Sequence, residues 1–269
     1  VSRTPETLFH RSDGTGEPLL LLNGIAMSVA SWDVAARPLA KKHRVIRCDF
    51  RGQLMTPAPP PEDVGEHADD VAKLLDHLAI DSVHVVGTSF GGVVGTLTAL
   101  AHPDRVRSLI TIASADGFDE GMADEVARWR SACEASLEGP DRGHLSDILE
   151  PVVYSPEWVA AHRAERSQRR EQIAALPDHW FAGLIGLLDS AHSLRLGDEL
   201  KKIRCPTLVI AAELDGFVPL ERARGLAEVI NGAEFKLIEG AGHAVVVEQP
   251  KRIVEVCLTY LESLERSTL

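Results

Sequence analysis

An α/β fold built around a largely parallel sheet is what this 269-residue chain predicts. Three observations point there. Short apolar runs of strand length recur along the chain, helix-like segments lie between most of them, and several runs are almost uninterrupted in apolar residues. Strand alternating with helix implies parallel pairing, and unbroken apolar runs imply strands covered on both faces.

The first run, PLLLLN (18–23), precedes a helix-like segment around 31–41. HRVIRCD (43–49) is followed by PAPPPEDVG (57–65), whose prolines predict a stiff loop rather than a domain linker. In GEHADDVAKLLDHLAI (65–80), Ala68, Val71, Ala72, Leu75 and Leu78 keep helical spacing. SVHVVG (82–87) leads into FGGVVGTLTALAHP (90–103), and RSLITIA (107–113) completes the first alternating set. The pattern then stops. Between Asp116 and Cys205 lie charged helix-like stretches (119–139 and 156–176) and three of the four tryptophans, Trp129, Trp158 and Trp180. A structureless loop of that length is anomalous in a compact domain, so a helical insertion over one edge of the sheet is expected. PTLVIAA (206–212), ERARGLAEVINGA (221–233) and EFKLIEG (234–240) resume the alternation. The core is therefore expected to comprise residues 1–115 and 200–269, with 116–199 as an inserted helical cap.

Composition narrows the function classes. The net charge of −12 works against a nucleic-acid or anionic-membrane partner. Cys48, Cys133, Cys205 and Cys257 lie far apart without zinc-type spacing, so free, mostly buried thiols are expected. The start VSRTPETLFH lacks a basic segment followed by an apolar one, and no stretch has the length of a membrane span. A cytoplasmic location follows as the expectation, with a monomer and a homodimer both open.

In VHVVGTSFGGVVG (83–95), Gly87-Thr88-Ser89-Phe90-Gly91 reads G-x-S-x-G between an expected strand and an expected helix. That context requires a sharp reversal, a strained serine backbone and small residues on either side. It lifts the Ser89 hydroxyl to the carboxyl end of the strand, where the N-terminal N–H groups of the following helix converge. A serine nucleophile needs a base, and the base needs an orienting carboxylate. Of eleven histidines, His243 in EGAGHAVVVEQP (239–250) follows the last expected strand, whereas His67, His162 and His179 sit in helical or loop segments with charged neighbours. Asp215 in AAELDGFVP (211–219) follows the preceding strand; Glu213 nearby and Asp116 in IASADG are its rivals. The order Ser89, Asp215, His243 is the one associated with this elbow. Two N–H donors for a developing oxyanion are expected from Phe90 and from the Asn23-Gly24-Ile25 loop, where Ile25 is favoured and Gly24 is the alternative.

With these residues in view, the chain resembles the α/β-hydrolase superfamily over nearly its whole length. The resemblance is carried by Asn23-Gly24 with Trp32-Asp33, CDFRG (48–52), the elbow, HPDRVRSLI (102–110), the acid loop and GAGHAVVVEQP (240–250). Within the superfamily it looks most like the 3-oxoadipate enol-lactonase branch. It implies an eight-stranded, mostly parallel sheet with a helical cap, and a serine hydrolase of carboxylic esters or lactones that needs no metal or cofactor. Two departures stand out: Asn23 occupies a position where many relatives have histidine, and Gln53-Leu54-Met55-Thr56 replaces a glycine-serine turn beside the pocket. Met27, Trp32, Phe90, Phe217 and Ala244 are expected at the pocket from their strand-end positions, and Trp129, Trp180 and Leu184 in the cap above it. Arg128 and Arg130 are candidates to meet an anionic substrate. Carbon–carbon bond hydrolases, esterase-like lyases and cofactor-free oxygenases share the framework, as does a non-catalytic small-molecule receptor.

Overall fold

The computed structural model describes residues 7–267. Residues 1–6, which open the segment read above for a targeting signal, and residues 268–269 at the end of the expected core lie outside the described residues.

Along the chain run β1 (His10–Asp13), β2 (Glu17–Leu22), α1 (Asp33–Leu39), β3 (His43–Cys48), α2 (Glu66–His77), β4 (Val83–Thr88), α3 (Phe90–Ala101) and β5 (Val106–Ile112). Five helices follow without a strand: α4 (Glu120–Glu138), α5 (His144–Val153), α6 (Pro156–Ala161), α7 (Arg166–Ala174) and α8 (Asp178–Ala191). The chain then completes β6 (Thr207–Ala212), α9 (Leu220–Val229), β7 (Glu234–Ile238), α10 (Val245–Glu248) and α11 (Pro250–Ser267). The six strands expected from apolar runs all form, each within two residues of its expected start.

The sheet order is β1-β3-β2-β4-β5-β6-β7, parallel throughout except for β1 against β3. Among the described residues it has seven strands, where eight were expected. Among the described residues the N-terminal edge is a single short antiparallel strand, and just before it the Phe9 carbonyl continues the pairing, accepting from Asp49 N at 3.0 Å. That edge strand, HRSD, is largely exposed and polar, which is why it left no apolar signal.

The apolar runs are uninterrupted because both faces are covered. Leu20 and Leu22 of β2 pack with Val85, Val94 and Leu109 on the side of α2 and α3. Leu19 and Leu21 pack with Val86, Ile110 and Ile210 on the side of α1 and α11. In α11, Ile253, Val254, Cys257, Tyr260 and Leu261 keep the spacing of one helix face and are buried there. A third apolar cluster joins α4 and α8 to Phe217 and Val218 from the loop after β6, seating the inserted helices over the carboxyl edge of the sheet.

From β2 the chain first adds β3 on one side and then β4 on the other. Such a reversal of strand order opens a crevice outside the carboxyl ends of the two inner strands. The loop after β2 and the turn after β4 line that crevice.

Candidate active site

Ser89 lies between β4 and α3 with φ +51° and ψ −119°. Few side chain-bearing residues adopt such a backbone, and it is held here by Ser89 N donating to Ile112 O at 2.8 Å. The flanking glycines are required by contact. A Cβ on Gly87 would lie 2.1 Å from Gly91 O, and one on Gly91 would lie 2.2 Å from Leu22 O and 2.6 Å from Asn23 O. Leu22 O and Asn23 O are backbone atoms of β2 and its loop and cannot swing aside. Gly91→Ala is therefore expected to destabilise the protein by about 3 kcal/mol, read from its urea midpoint, and to displace the Asn23-Gly24-Ile25 loop. An unchanged midpoint would mean that the loop yields freely.

His243, on the loop after β7, has Nε2 2.9 Å from Ser89 Oγ and Nδ1 2.9 Å from Asp215 Oδ2. Asp215, on the loop after β6, is oriented by two backbone donors: Phe217 N and Val218 N reach Oδ1 at 2.9 and 2.8 Å. An ionised carboxylate only accepts, so it selects the imidazole tautomer with the proton on Nδ1 and leaves the Nε2 lone pair facing the Ser89 hydroxyl. The rival acids are engaged elsewhere. Asp116 pairs with Arg222 at 2.8 Å, and Glu213 accepts from Gly240 N at 2.9 Å.

Of the expected oxyanion donors, Phe90 N and Ile25 N have no acceptor among the described residues. Gly24 N, the alternative, donates to Met27 Sδ at 3.2 Å. The loop carrying Ile25 is set by a buried polar network. Asn23 Nδ2 donates to Asp49 Oδ1 at 3.0 Å and to Gln53 Oε1 at 2.9 Å, and Asn23 Oδ1 accepts from Trp32 Nε1 at 3.0 Å. Gln53 Nε2 donates to Gly24 O at 2.9 Å and Ile25 O at 3.2 Å, while its Oε1 also accepts from Phe50 N. Asp49 accepts in addition from Val29 N and Met55 N; burial pushes its carboxyl above the usual range, and these donors oppose that shift. Gln53, a departure in the sequence, thus ties down the loop that carries a candidate donor. Exchanging it for leucine would strand Ile25 O without a donor and leave Gly24 O with Met27 N alone.

Two cavities meet at Ser89. The larger, about 240 Å³, has His243, Met27, Ala244 and Gly24 in its wall and reaches Glu150, Arg169 and Tyr154 of the inserted helices. The smaller, about 40 Å³, is walled by apolar side chains including Met122, Val126, Leu188 and Phe217, with Phe90 at its base. Ile25, Ser89 and Trp129 border both. Phe217 packs on Trp129 with centroids 4.5 Å apart and meets the His243 ring edge-on at 5.2 Å.

Three expected pocket residues line neither cavity. Trp32 is 1% exposed and spends its indole N–H on Asn23, while Trp180 and Leu184 are buried in the cluster that packs the inserted helices on one another. Arg128 and Arg130 also fall outside: Arg128 pairs with Glu125 at 2.7 Å, and Arg130 pairs with Glu134 and with Asp189 at 2.9 Å, on the outer surface. The cationic group that does reach the larger cavity is Arg169, bonded to Glu150 at 2.7 Å. Nothing in the polar stretch around it marked it out. Among the other histidines, His67 is wholly buried between Phe50 and Phe90, and burial lowers its pKa to about 3.

Glu248 escaped sequence reasoning. Its Oε1 accepts from Ser155 N at 2.8 Å and Gly242 N at 3.2 Å, its Oε2 from Ser155 Oγ at 2.6 Å, and Ala244 N donates to Val153 O at 2.7 Å. The turn between α5 and α6 is thereby bonded to the loop that carries His243. Among the described residues no group of three or more His, Cys, Asp or Glu is placed to hold a metal ion, and no helix is long and apolar enough to cross a membrane.

Comparison with known proteins agrees with this architecture. A protein of Azorhizobium caulinodans provisionally named carbamate hydrolase RutD is 30% identical over 266 residues, covering 96% of each chain. A solved thermophilic esterase from Thermogutta terrifontis is 27% identical with a TM-score of 0.82, over 95% of this chain and 93% of that one. The enol-lactonase of Burkholderia xenovorans LB400 superposes with a TM-score of 0.82 at 23% identity, over 95% and 96% of the two chains, a likeness of fold alone. The family model for the alpha/beta hydrolase fold matches residues 17–250, and the chain belongs to that family.

Proposed function

We propose that the protein is a serine hydrolase that cleaves a carboxylic ester or lactone through an acyl-enzyme. The observation that carries this reading is the continuous chain from Asp215 through His243 to Ser89 Oγ, set beside two N–H groups that lack a protein acceptor. The name of the Thermogutta esterase supports the reaction class.

On this reading Ser89 Oγ bonds to the carbonyl carbon as its proton passes to His243 Nε2. The carbonyl π pair moves onto the oxygen, which takes up hydrogen bonds from Phe90 N and Ile25 N. Collapse expels the leaving oxygen with the electron pair of the broken C–O bond, and His243 returns the proton to it. Water then attacks the acyl-enzyme, giving a proton to His243. The Ser89–carbon bond breaks, Ser89 regains the proton, and the acid departs. Asp215 holds the imidazole and stabilises its charged form throughout.

The test is initial rates on p-nitrophenyl acetate through octanoate and on a small set of lactones. Turnover with a burst of p-nitrophenol equal to the enzyme concentration is expected. A protein inert towards the whole set overturns the reading, and tight binding of a small molecule without turnover would favour a receptor. The name of the Azorhizobium relative favours one second reading, carbamate cleavage by the same residues. Methyl carbamate against methyl acetate separates the two.

A further inference from the structure

The two cavities at Ser89 differ in size, polarity and access to His243, and those differences orient a substrate. Its leaving oxygen must take a proton from His243 Nε2 and so must depart within hydrogen-bond reach of that atom. His243 walls the larger cavity and not the smaller. The oxyanion direction is taken by Phe90 N and Ile25 N. Of the tetrahedral carbon's remaining substituents, the leaving group therefore extends into the larger cavity. The carbon chain of the acid is directed into the smaller one.

We infer that the protein selects esters of short, apolar acids with larger alcohols that end in an uncharged polar group. The inference rests on the serine-hydrolase reading and specifies its substrate. The cavity left for the acid is about 40 Å³, one sixth the size of its neighbour, and Met122, Val126, Leu188 and Phe217 give it an apolar wall. The cavity left for the alcohol is about 240 Å³ and closes on Arg169 and Glu150. There Glu150 is 6% exposed, accepts from Arg169 Nη2 at 2.7 Å and pairs through its other oxygen with Arg166 Nε at 3.1 Å, while Arg169 Nη1 donates to His162 O at 3.1 Å. The Arg166 and Arg169 guanidiniums are offset by Glu150, Asp147 and Glu165, so donors and acceptors stand together there without a large net charge. That suits a hydroxyl or amide better than a second carboxylate or ammonium.

Two isomeric esters test the orientation: hexyl acetate and methyl heptanoate share one formula and differ only in which side of the carbonyl carries the long chain. The kcat/KM for hexyl acetate should be higher by at least about tenfold, the lower end of what one misplaced methylene costs. Equal rates, or a preference for methyl heptanoate, overturn the assignment. Val126→Ala should narrow the gap several-fold by lengthening the acid cavity, and an unchanged gap with a folded variant also counts against it. Comparing 6-hydroxyhexyl acetate with hexyl acetate tests the polar end: a lower KM for the hydroxylated ester is expected, and equal KM values remove that part of the proposal. If neither isomer nor p-nitrophenyl acetate is turned over, the failure lies with the hydrolase reading itself.

Discussion

Replacing Ser89 with alanine should lower kcat/KM about a thousandfold or more on every ester the protein turns over, with the melting temperature held within about 2 °C. The two halves of this expectation have separate causes. The Ser89 side chain caps nothing in α3, and the hydrogen bonds that hold the elbow use its backbone: N to Ile112 O, and O from Gly92 N, Val93 N and Ser114 Oγ. Alanine keeps every one of them and bears the same positive φ as serine. The hydroxyl has one side-chain partner, His243 Nε2 at 2.9 Å. Removing it therefore isolates chemistry from stability. A variant retaining more than about a tenth of the activity would show that Ser89 is not the nucleophile.

Asp215→Asn should cost about 10⁴-fold in kcat, although it changes one atom. Oδ1 of Asp215 accepts from Phe217 N and Val218 N, and in asparagine only the carbonyl oxygen can fill that place. The amide NH₂ is then forced into the position of Oδ2, facing His243 Nδ1. A donor there turns the imidazole into the tautomer with its proton on Nε2, pointing at Ser89 Oγ, which leaves the serine without a base. Because the two backbone donors keep their acceptor, the loop after β6 should retain its shape. The split between a lost kcat and a nearly unchanged KM is the readout. Asp116→Asn is the control, since Asp116 is paired with Arg222; if it abolished activity and Asp215→Asn did not, the assignment of the acid would be reversed.

The strands and the elbow were legible because burial on both faces leaves unbroken apolar runs, and because a strained turn between strand and helix restricts its neighbours to glycine. The choice between Asp215 and Asp116 was not closed by sequence. Both follow strand ends, and what separates them is contact between distant segments: Asp215 reaches His243, whereas Asp116 pairs with Arg222 of α9, 106 positions away. Trp32 and Trp180 are core residues that position alone cannot tell from pocket residues, since an indole in the core and one in a binding site look the same in a sequence. The roles of Gln53, Glu248 and Arg169 depend on hydrogen bonds between segments distant along the chain. No local pattern encodes those.

The bonds made by Glu248, together with Ala244 N to Val153 O, join the α5–α6 turn and the histidine loop into one mechanical unit. The amides of Ser155 and Ala244 should accordingly share a single opening free energy in hydrogen exchange. A motion that lifted this turn would, through these bonds, also move the loop that carries His243. On the acyl-enzyme reading proposed above, water entering by that side would reach an acyl group on Ser89 only with the base that activates it displaced.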